Sequence, residues 1–532
     1  MRAVGQGMAK VLEKFLTDHP QFEDQVIEAI GKPKDDVHYP SKDLIVKCRR
    51  LMASHLKADV DNDDAITEMS QGLIEAWSEA SGDPDKPLLS WLRRGAPTGI
   101  TMMPVSAGIF PVAPEAPTHE FDLTYDHEEF VNYSTMEDSP HAAKVLQDLV
   151  DQRYVRKFSN MTEAKAYLQG KEPVLSKMAL VTVEKDGVLK HRLIMDCRVS
   201  GTNSCTTKIE RLVLPRVGDL IRDCLRHLQN QSDDKVLTFL VCDFADAFYK
   251  VPIHIEEQPY FVAQYKGHVY VYTQITQGSL NGPTIYGRLS ALTGRMTQSL
   301  ISEEEAALQI YTDDPIAAIM ATPTRARRIA AMFITLWLIL GFDMSFHKGQ
   351  FASAVTWVGY SITADKERIT VKIKEDFMTK LGQMTEEMLS KNFIKVRDLR
   401  TYTGKSTHAS NLLVTWRPFL DSLWAAVAQT MPHTPASDGN QVEHRPKKKS
   451  RSLKGTIWTK QVKGSLTWIK AFLSSSLGPL SRTWDIKYFW ESSRLHFVLD
   501  ASPFGVGGVL YEDGVPIEMF FSDKLTEHDE RI

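Results

Sequence analysis

The five residues Ile310-Tyr311-Thr312-Asp313-Asp314 constrain the fold of this chain more than any other stretch. Apolar runs lie on both sides, at 306–310 and 316–320, and two β-type segments around a polar turn predict a hairpin with adjacent carboxylates at its tip. Neighbouring acids repel each other and contribute little to folding, so a bound divalent cation is one reason to place them there. For a Y-x-D-D motif on its own, a solvated acidic turn is the alternative.

A further acid, Asp243, occupies a comparable position upstream. It follows the apolar segment 236–242, whose composition predicts a buried strand. If the two strand ends lie side by side, their carboxylates form the oxygen-rich environment that a pair of Mg²⁺ ions needs for phosphoryl transfer.

Length and composition describe an ordinary globular protein with several domains: 532 residues, 43% of them apolar and 24% charged. The first 150 residues hold 14 basic and 26 acidic side chains and the rest hold 49 and 41, so the net charge is −12 in front and +8 behind. The acidic front does not attract nucleic acid, whereas the basic remainder can.

Nothing in the sequence indicates secretion or a membrane span. The five cysteines show no zinc spacing and fit a reducing compartment. The N-terminus has no signal-peptide pattern, and the most apolar run, Ile329–Leu340, is too short to cross a bilayer and predicts a buried helix. We therefore expect an intracellular, soluble protein.

Residues 1–95 show helical periodicity but no catalytic constellation, and the prolines of the next segment predict an extended strap. A short amphipathic helix is expected over 141–158. Residues 178–198 predict a hairpin that turns at Asp186-Gly187. On such a hairpin Lys185 and Arg192 can lie on one side and grip phosphates, although charged hairpin faces often serve only solubility.

Strand alternation breaks at Gln277-Gly278, where glycine allows a ligand to approach the backbone, and a helix is predicted to start near Pro283. A loop with Lys348 and the strand-like segment Trp357-Val358-Gly359-Tyr360 follow the long apolar helix. In this order and spacing, the chain resembles the reverse transcriptases of retrotransposons and retroviruses over roughly residues 140–425. The motifs that carry the resemblance are R-x-x-x-D-x-R (Arg192, Asp196, Arg198), D-x-x-D-A-F (Asp243–Phe248), Q-G-x-x-x-x-P (Gln277, Gly278, Pro283), Y-x-D-D, the Lys348 loop and W-x-G-Y (Trp357–Tyr360).

The resemblance implies an α+β fold of the right-hand polymerase type, with fingers, a palm with an antiparallel sheet, and a thumb. A weaker resemblance over the C-terminal residues indicates the start of a ribonuclease H-like α/β domain with Asp500 as its first metal-binding acid; its other carboxylates are expected beyond Ile532. The expected division is a helical N-terminal region (1–95), a Pro-rich and acidic linker (96–139), fingers and palm (140–364), thumb-like helices (365–429), a linker or connection (430–488) and the ribonuclease H-like segment (489–532).

The family's site residues carry over position by position. Asp243, Asp313 and Asp314, with the backbone carbonyl of Phe244, would hold two Mg²⁺ ions, for which Mn²⁺ can substitute. The residues expected to bind the incoming nucleotide are Lys185, Arg192, Phe244, Phe248, Gln277, Gly278, Tyr311 and Lys348. Those expected to grip the primer are Trp357, Gly359 and Tyr360.

Two of these positions have more specific expected roles, and one neighbouring residue departs from the family pattern. Phe248 would stack under the ribose and leave no room for a 2′-hydroxyl, with ordinary core packing as the alternative. Lys348 would donate a proton to pyrophosphate, or be merely solvated. Pro315 departs from the family pattern, because it removes a backbone donor directly after the two acids.

The resemblance implies an RNA-directed DNA polymerase of a retroelement, either of the LTR or the tyrosine-recombinase type. It would copy a primed RNA or DNA template with dNTPs, while its oligomeric state stays open. An RNA-copying RNA polymerase and a degenerate, non-catalytic protein that only binds nucleic acid are the alternatives. The basic run between Arg445 and Arg451 is either a nuclear address or a solvated linker, so the location would be cytoplasmic or nuclear.

Overall fold

A computed structural model describes residues 1–61, 66–114, 123, 130–185, 188–229, 232–429, 455–475, 477–486, 495–502 and 505–524. The basic run of residues 445–451 and the predicted turn at Asp186-Gly187 lie outside the described residues, as does the side chain of Lys185.

The fifteen helices described are α1 (Arg2–Asp18), α2 (Pro20–Ala29), α3 (Lys42–Leu56), α4 (Gln71–Ser81), α5 (Lys86–Arg94), α6 (Ser134–Glu137), α7 (Ala142–Asp151), α8 (Met161–Tyr167), α9 (Val217–Gln229), α10 (Gly282–Leu300), α11 (Pro323–Leu340), α12 (Glu375–Leu389), α13 (Val396–Ser410), α14 (Arg417–Ala428) and α15 (Lys463–Leu473). The strands described are β1 (Val155–Phe158), β2 (Lys177–Lys185), β3 (Val188–Asp196), β4 (Val236–Val241), β5 (Phe244–Ala245), β6 (Val262–Tyr265), β7 (His268–Tyr272), β8 (Ala306–Tyr311), β9 (Asp314–Ala321), β10 (Asp343–Met344), β11 (Gln350–Ala352), β12 (Ala354–Trp357), β13 (Tyr360–Ala364), β14 (Arg368–Ile373), β15 (Phe393–Lys395), β16 (Thr456–Trp458), β17 (Ser481–Asp485), β18 (Leu495–Ser502), β19 (Gly505–Glu512) and β20 (Val515–Lys524).

An antiparallel sheet of order β11-β4-β9-β8 lies at the centre of the polymerase-like part. Side chains of β9 alternate between two hydrophobic cores: Ala317 and Ile319 face one, and Ile316 and Ala318 face the other. Both faces of the sheet are therefore buried, which explains why its strands are continuous apolar runs in the sequence. The hairpin predicted around the two acids is present as β8 and β9.

The first core joins this sheet to α10, α11 and the N-terminal helices α1 to α5. Helix α11 contains the predicted buried helix Ile329–Leu340, begins with Thr322 as its cap and ends at Gly341 in the left-handed conformation. Among the residues that the structure describes, no helix combines the length and the apolar character needed to cross a membrane.

The finger-like part consists of a sheet of order β1-β7-β6, the hairpin β2–β3 and helices α7 and α8. The helix expected over 141–158 is only half present, because α7 ends at Asp151. Val155 instead belongs to β1, where it pairs with Tyr272 of β7. Its apolar side chain is buried in either conformation, so the apolar pattern did not distinguish the two.

The second core lies on the other face of the central sheet and includes α9, the sheet β12-β13-β14-β17 and helices α12 to α15. Helix α15 and strands β16 and β17 belong to residues expected to form a connection. They pack against the thumb-like segment 365–429, because β16 pairs with β15 and β17 pairs with β14 of that segment.

The C-terminal residues form an antiparallel sheet of order β18-β19-β20. Asp500 lies inside β18, opposite Gly507 in β19, and its side chain is exposed. The α+β class with an antiparallel palm sheet and a helical N-terminal region is confirmed.

Candidate active site

The backbone ladder between β4 and β9 continues beyond the end of β4 and brings the acids together. The Phe244 N–H donates to the Asp313 carbonyl at 2.9 Å. This register places Asp243 opposite Asp314, as a pair without backbone hydrogen bonds, which is where facing side chains approach most closely. The expected meeting of the two strand-end carboxylate sites is present.

Pro315 does not interrupt this ladder. Its carbonyl accepts the Cys242 N–H at 3.1 Å, and it pairs with Ile310 in the hairpin. The missing proline N–H therefore removes one donor without separating the strands.

The three carboxylates are crowded and mostly shielded from water. Burial and the charges of Asp313 and Asp243 raise the pKa of Asp314 to about 7, and burial also raises the pKa of Asp313. The Lys348 ammonium donates to the Asp243 carboxylate, whose side chain is 13% exposed. Lys348 thus pairs with Asp243 while 35% of its side chain stays exposed.

The tip of the β8–β9 hairpin is fixed by contacts on both sides. Thr312 has a positive φ of 58°, an unfavourable conformation for a β-branched residue, and its carbonyl accepts the Ser290 hydroxyl at 2.8 Å. The indole N–H of Trp357 donates to the Asp314 carbonyl at 2.9 Å, and its ring meets that of Tyr311 edge to face. The segment expected to grip the primer is therefore bonded directly to the acidic hairpin.

That segment forms a two-residue turn between β12 and β13. Val358 and Gly359 both have positive φ, 43° and 84°, as a type I′ turn requires. Tyr360 is buried, and its hydroxyl donates to the carbonyl of His408 on α13 at 2.8 Å. The turn is held between the palm and the thumb-like helices.

The Gln277–Gly278 segment packs on the finger hairpin. The Met195 N–H of β3 donates to the Gln277 carbonyl at 3.2 Å. Gly278 has φ 118°, and a Cβ there would lie 2.0 Å from the Met195 carbonyl oxygen. Asn203 closes the loop from its other side, donating to the Gly278 carbonyl at 2.9 Å. Glycine is required at this position by close approach of the protein's own backbone.

Two aromatic residues after Asp243 have different environments. Phe244 is fully buried and stacks on Phe342 at 4.4 Å, which fixes the backbone beside Asp243. Phe248 is half-buried and stacks on Tyr286 at 5.5 Å. Phe248 therefore keeps an accessible side, as a ring that contacts a ligand must.

On the finger hairpin, Arg192 is exposed, and its charge partly offsets the burial that raises the pKa of Asp313. Asp196 of the same motif accepts the Tyr133 hydroxyl at 2.5 Å and the N–H groups of Arg198 and Val199. Tyr133 lies in the expected linker and had no sequence signal.

A basic cavity of about 780 Å³ opens between α5 and β1. Pro252 and Gln274, which pair in an isolated bridge, form part of its wall, so it adjoins both the segment after Asp243 and the segment before Gln277. The cations that line it are Arg93, Arg94, Arg153, Arg156 and Lys157.

Within the described part of the chain, no group of three or more His, Cys, Asp and Glu side chains is already arranged to hold a metal ion. The donor chemistry nevertheless fits a divalent cation, because three carboxylates meet at this end of the ladder, where burial and the charges of Asp313 and Asp243 raise the pKa of Asp314 to about 7. A cation bound to these carboxylates would offset their mutual repulsion.

Part of the chain is similar in sequence to known proteins. Residues 183–362 match the sequence profile of a family described as reverse transcriptase (RNA-dependent DNA polymerase). The Gag-Pol polyprotein of Walleye dermal sarcoma virus is 32% identical over 94 residues, which are 18% of this chain and 5% of that polyprotein.

Structures of foamy viral protease-reverse transcriptase are also similar. One in complex with double-stranded DNA has a TM-score of 0.47 at 17% identity, over 78% of this chain and 61% of that chain. One in complex with an RNA/DNA hybrid has a TM-score of 0.44 at 17% identity, over 79% and 48%. The chain thus spans only part of the length of these relatives.

The matched segment contains Asp243, Asp313, Asp314 and the turn of Val358 and Gly359. Residues 183–362, about a third of the chain, are thus similar to reverse transcriptases.

Proposed function

We propose that this protein is an RNA-directed DNA polymerase that transfers a nucleotide from a dNTP to a primer 3′-hydroxyl. The observation that supports this most is the meeting of Asp243, Asp313 and Asp314 at the end of a buried ladder, inside a segment that matches the reverse transcriptase family. We assign the element to a retrotransposon and the C-terminal sheet to a ribonuclease H-like segment.

Asp243, Asp313 and Asp314, with the Phe244 carbonyl, are the proposed ligands of two Mg²⁺ ions. When bound, such ions make the primer hydroxyl more acidic and neutralise charge on the triphosphate and the leaving pyrophosphate. The buried Phe244 ring and the Trp357 hydrogen bond to Asp314 hold these ligands in place, so that little reorganisation is needed.

Side chains around the acids have complementary proposed tasks. The exposed guanidinium of Arg192 binds the triphosphate with a bidentate fork, and Lys185 is proposed as its partner. Lys348, now on Asp243, has a proton that it can transfer to the departing pyrophosphate. Tyr311 and Gln277 border the nucleotide pocket from the palm and from the fingers.

Primed template is the proposed macromolecular partner. The five cations around the α5–β1 cavity provide a surface for phosphates beside the finger segments. The turn of Val358 and Gly359, held against α13, is the proposed contact with the primer end.

Primer extension by the full chain tests this proposal. A DNA primer on an RNA template is offered Mg²⁺ and either dNTPs or rNTPs. Extension with dNTPs only is expected. Extension with rNTPs alone would indicate an RNA polymerase, and salt-sensitive binding of primed template without any extension would indicate a protein that only binds nucleic acid.

A further inference from the structure

A segment of the N-terminal region, residues 66–70, is inserted against the palm. The side-chain amide of Gln274 donates to the Ile66 carbonyl at 2.6 Å. The Ser70 N–H donates to the Leu340 carbonyl at the end of α11 at 2.9 Å. This segment is thus bonded at both ends to elements that flank the acidic site.

The fit at this contact is close. Gly341, with φ 104°, has no Cβ, and an added one would lie 2.2 Å from the Glu68 carbonyl oxygen. Only glycine at 341 therefore lets the backbone of Glu68 pass over the end of α11.

The centre of the contact is a buried cation, Lys250. Its side chain is 0% exposed, and its ammonium donates to the carboxylates of Glu68 and Asp343. The Thr67 hydroxyl donates to the Lys250 carbonyl at 2.6 Å. A buried ammonium is stable only while anions pair with it, so Glu68 takes part in holding Lys250.

Lys250 ends the 3₁₀ turn Ala247–Lys250 that follows Asp243. The same turn carries Phe248, and its preceding strand β5 pairs with β10, which contains Asp343. The Asp243 carbonyl accepts the N–H of Ser345, three residues before Lys348. The ion cluster of Lys250, Glu68 and Asp343 therefore joins two segments. One carries Asp243 and Phe248, and the other carries Lys348.

We propose that Glu68 is a positioning residue of the polymerase site, which acts through Lys250 to fix the segment from Asp243 to Phe248. This gives the N-terminal helical region a role in the reaction, and it rests on the proposed function. The sequence carried no signal for it, because Glu68 and Lys250 are separated by 182 residues.

The chain offers a matched control. Arg325, at the start of α11, is also paired with one N-terminal acid, Glu13, and one palm acid, Glu305, although its side chain is 34% exposed. Glu13→Gln removes another ion pair to the N-terminal region, but its partner lies in a helix that carries none of the proposed site residues.

The experiment compares Glu68→Gln with Glu13→Gln in the full chain. Hydrogen exchange is expected to rise at least about tenfold for amides of 244–251 and 343–348 in Glu68→Gln and to stay unchanged there in Glu13→Gln. In primer extension, kcat for dNTPs is expected to fall roughly ten- to hundredfold only in Glu68→Gln. The preference for dNTPs over rNTPs is expected to weaken in the same variant, because Phe248 lies on the displaced turn.

A double variant shows whether the effect passes through the cation. In a Lys250→Met background, where the buried ammonium that Glu68 pairs with is gone, Glu68→Gln is expected to add nothing. The proposal would be overturned if Glu68→Gln and Glu13→Gln raised hydrogen exchange and lowered kcat to the same extent. Glu68 would then only stabilise the fold in general. If hydrogen exchange rose only in Glu68→Gln but the wild-type protein had no polymerase activity, the structural role of Glu68 would stand and the proposed function would be refuted instead.

Discussion

At the residue scale, Phe248 is the position that should decide which sugar enters. Its ring stacks on buried Tyr286 and keeps one accessible side. Phe248→Val is expected to raise the efficiency of rNTP incorporation relative to dNTPs by about tenfold or more, because a smaller side chain leaves room for the 2′-hydroxyl. Phe248→Tyr keeps the ring and should keep the preference. An unchanged ratio in Phe248→Val would assign the ring to core packing.

Asp314 should make metal-free stability depend on pH. Its pKa rises from 3.8 to about 7 in the folded chain, mainly through burial. Between these values the folded chain holds a proton that the unfolded chain has released, so stability falls as pH rises from about 4 to about 7.

With chelator at pH 8, Asp314→Asn is therefore expected to be more stable than the wild type, by on the order of a few kcal/mol. Near pH 4 the two should be alike, and at pH 8 added Mg²⁺ should stabilise the wild type more than the variant. Denaturant unfolding at both pH values measures this. Equal stability of the two proteins in chelator at pH 8 would show that the acids are not crowded.

At the element scale, the turn between β12 and β13 carries local strain. Val358 is β-branched yet has φ 43°, at a position where type I′ turns favour asparagine. Val358→Asn is expected to stabilise the protein by about 1 kcal/mol, whereas Gly359→Ala should destabilise it, since its Cβ would lie 3.2 Å from His408. Thermal unfolding measures both changes. A loss of stability in Val358→Asn would mean that packing of the valine outweighs its backbone strain.

The same strain occurs at the tip of the β8–β9 hairpin, where Thr312 has φ 58°. Both turns lie beside the three carboxylates and are held by hydrogen bonds from Trp357 and Ser290. Strained residues that the surroundings hold in place are typical of functional sites.

At the scale of the whole molecule, the N-terminal helices are built into the polymerase body by buried ion pairs. Arg288 of α10 is 1% exposed and binds Asp85, which is also buried and caps α5. Asp85→Ala is expected to cost about 3–5 kcal/mol of unfolding free energy, because it removes the carboxylate that binds the buried guanidinium of Arg288 most closely and leaves Glu210 at 3.6 Å.

A matched control is Asp61→Ala. It breaks a pair with Arg50 in which both side chains are more than 60% exposed, and it should cost less than about 1 kcal/mol. Denaturant unfolding of the two variants measures the contrast. Similar small losses in both would show that the N-terminal helices are not part of the cooperative body.

How much the sequence could predict depends on how far apart the interacting residues lie along the chain. The β8–β9 hairpin and the α11 helix depend on neighbours within about twenty residues, and both are present where the apolar pattern indicates them. That Asp243 and Asp314 face each other could be predicted only through the family resemblance. The register between strands about 70 residues apart leaves no local pattern in the sequence. The pairing of Asp85 with Arg288 across 203 residues, and of Glu68 with Lys250, had no signal in a single sequence.

The central claim is that Asp243, Asp313 and Asp314 form one catalytic unit. The most direct measurement is primer extension on an RNA template by the three single Asp→Asn variants, with primer–template binding measured alongside by fluorescence anisotropy. We expect each variant to bind as tightly as the wild type and to lose extension by about a thousandfold or more. Retention of extension near the wild-type rate in any of the three would contradict the assignment of that carboxylate and the shared site.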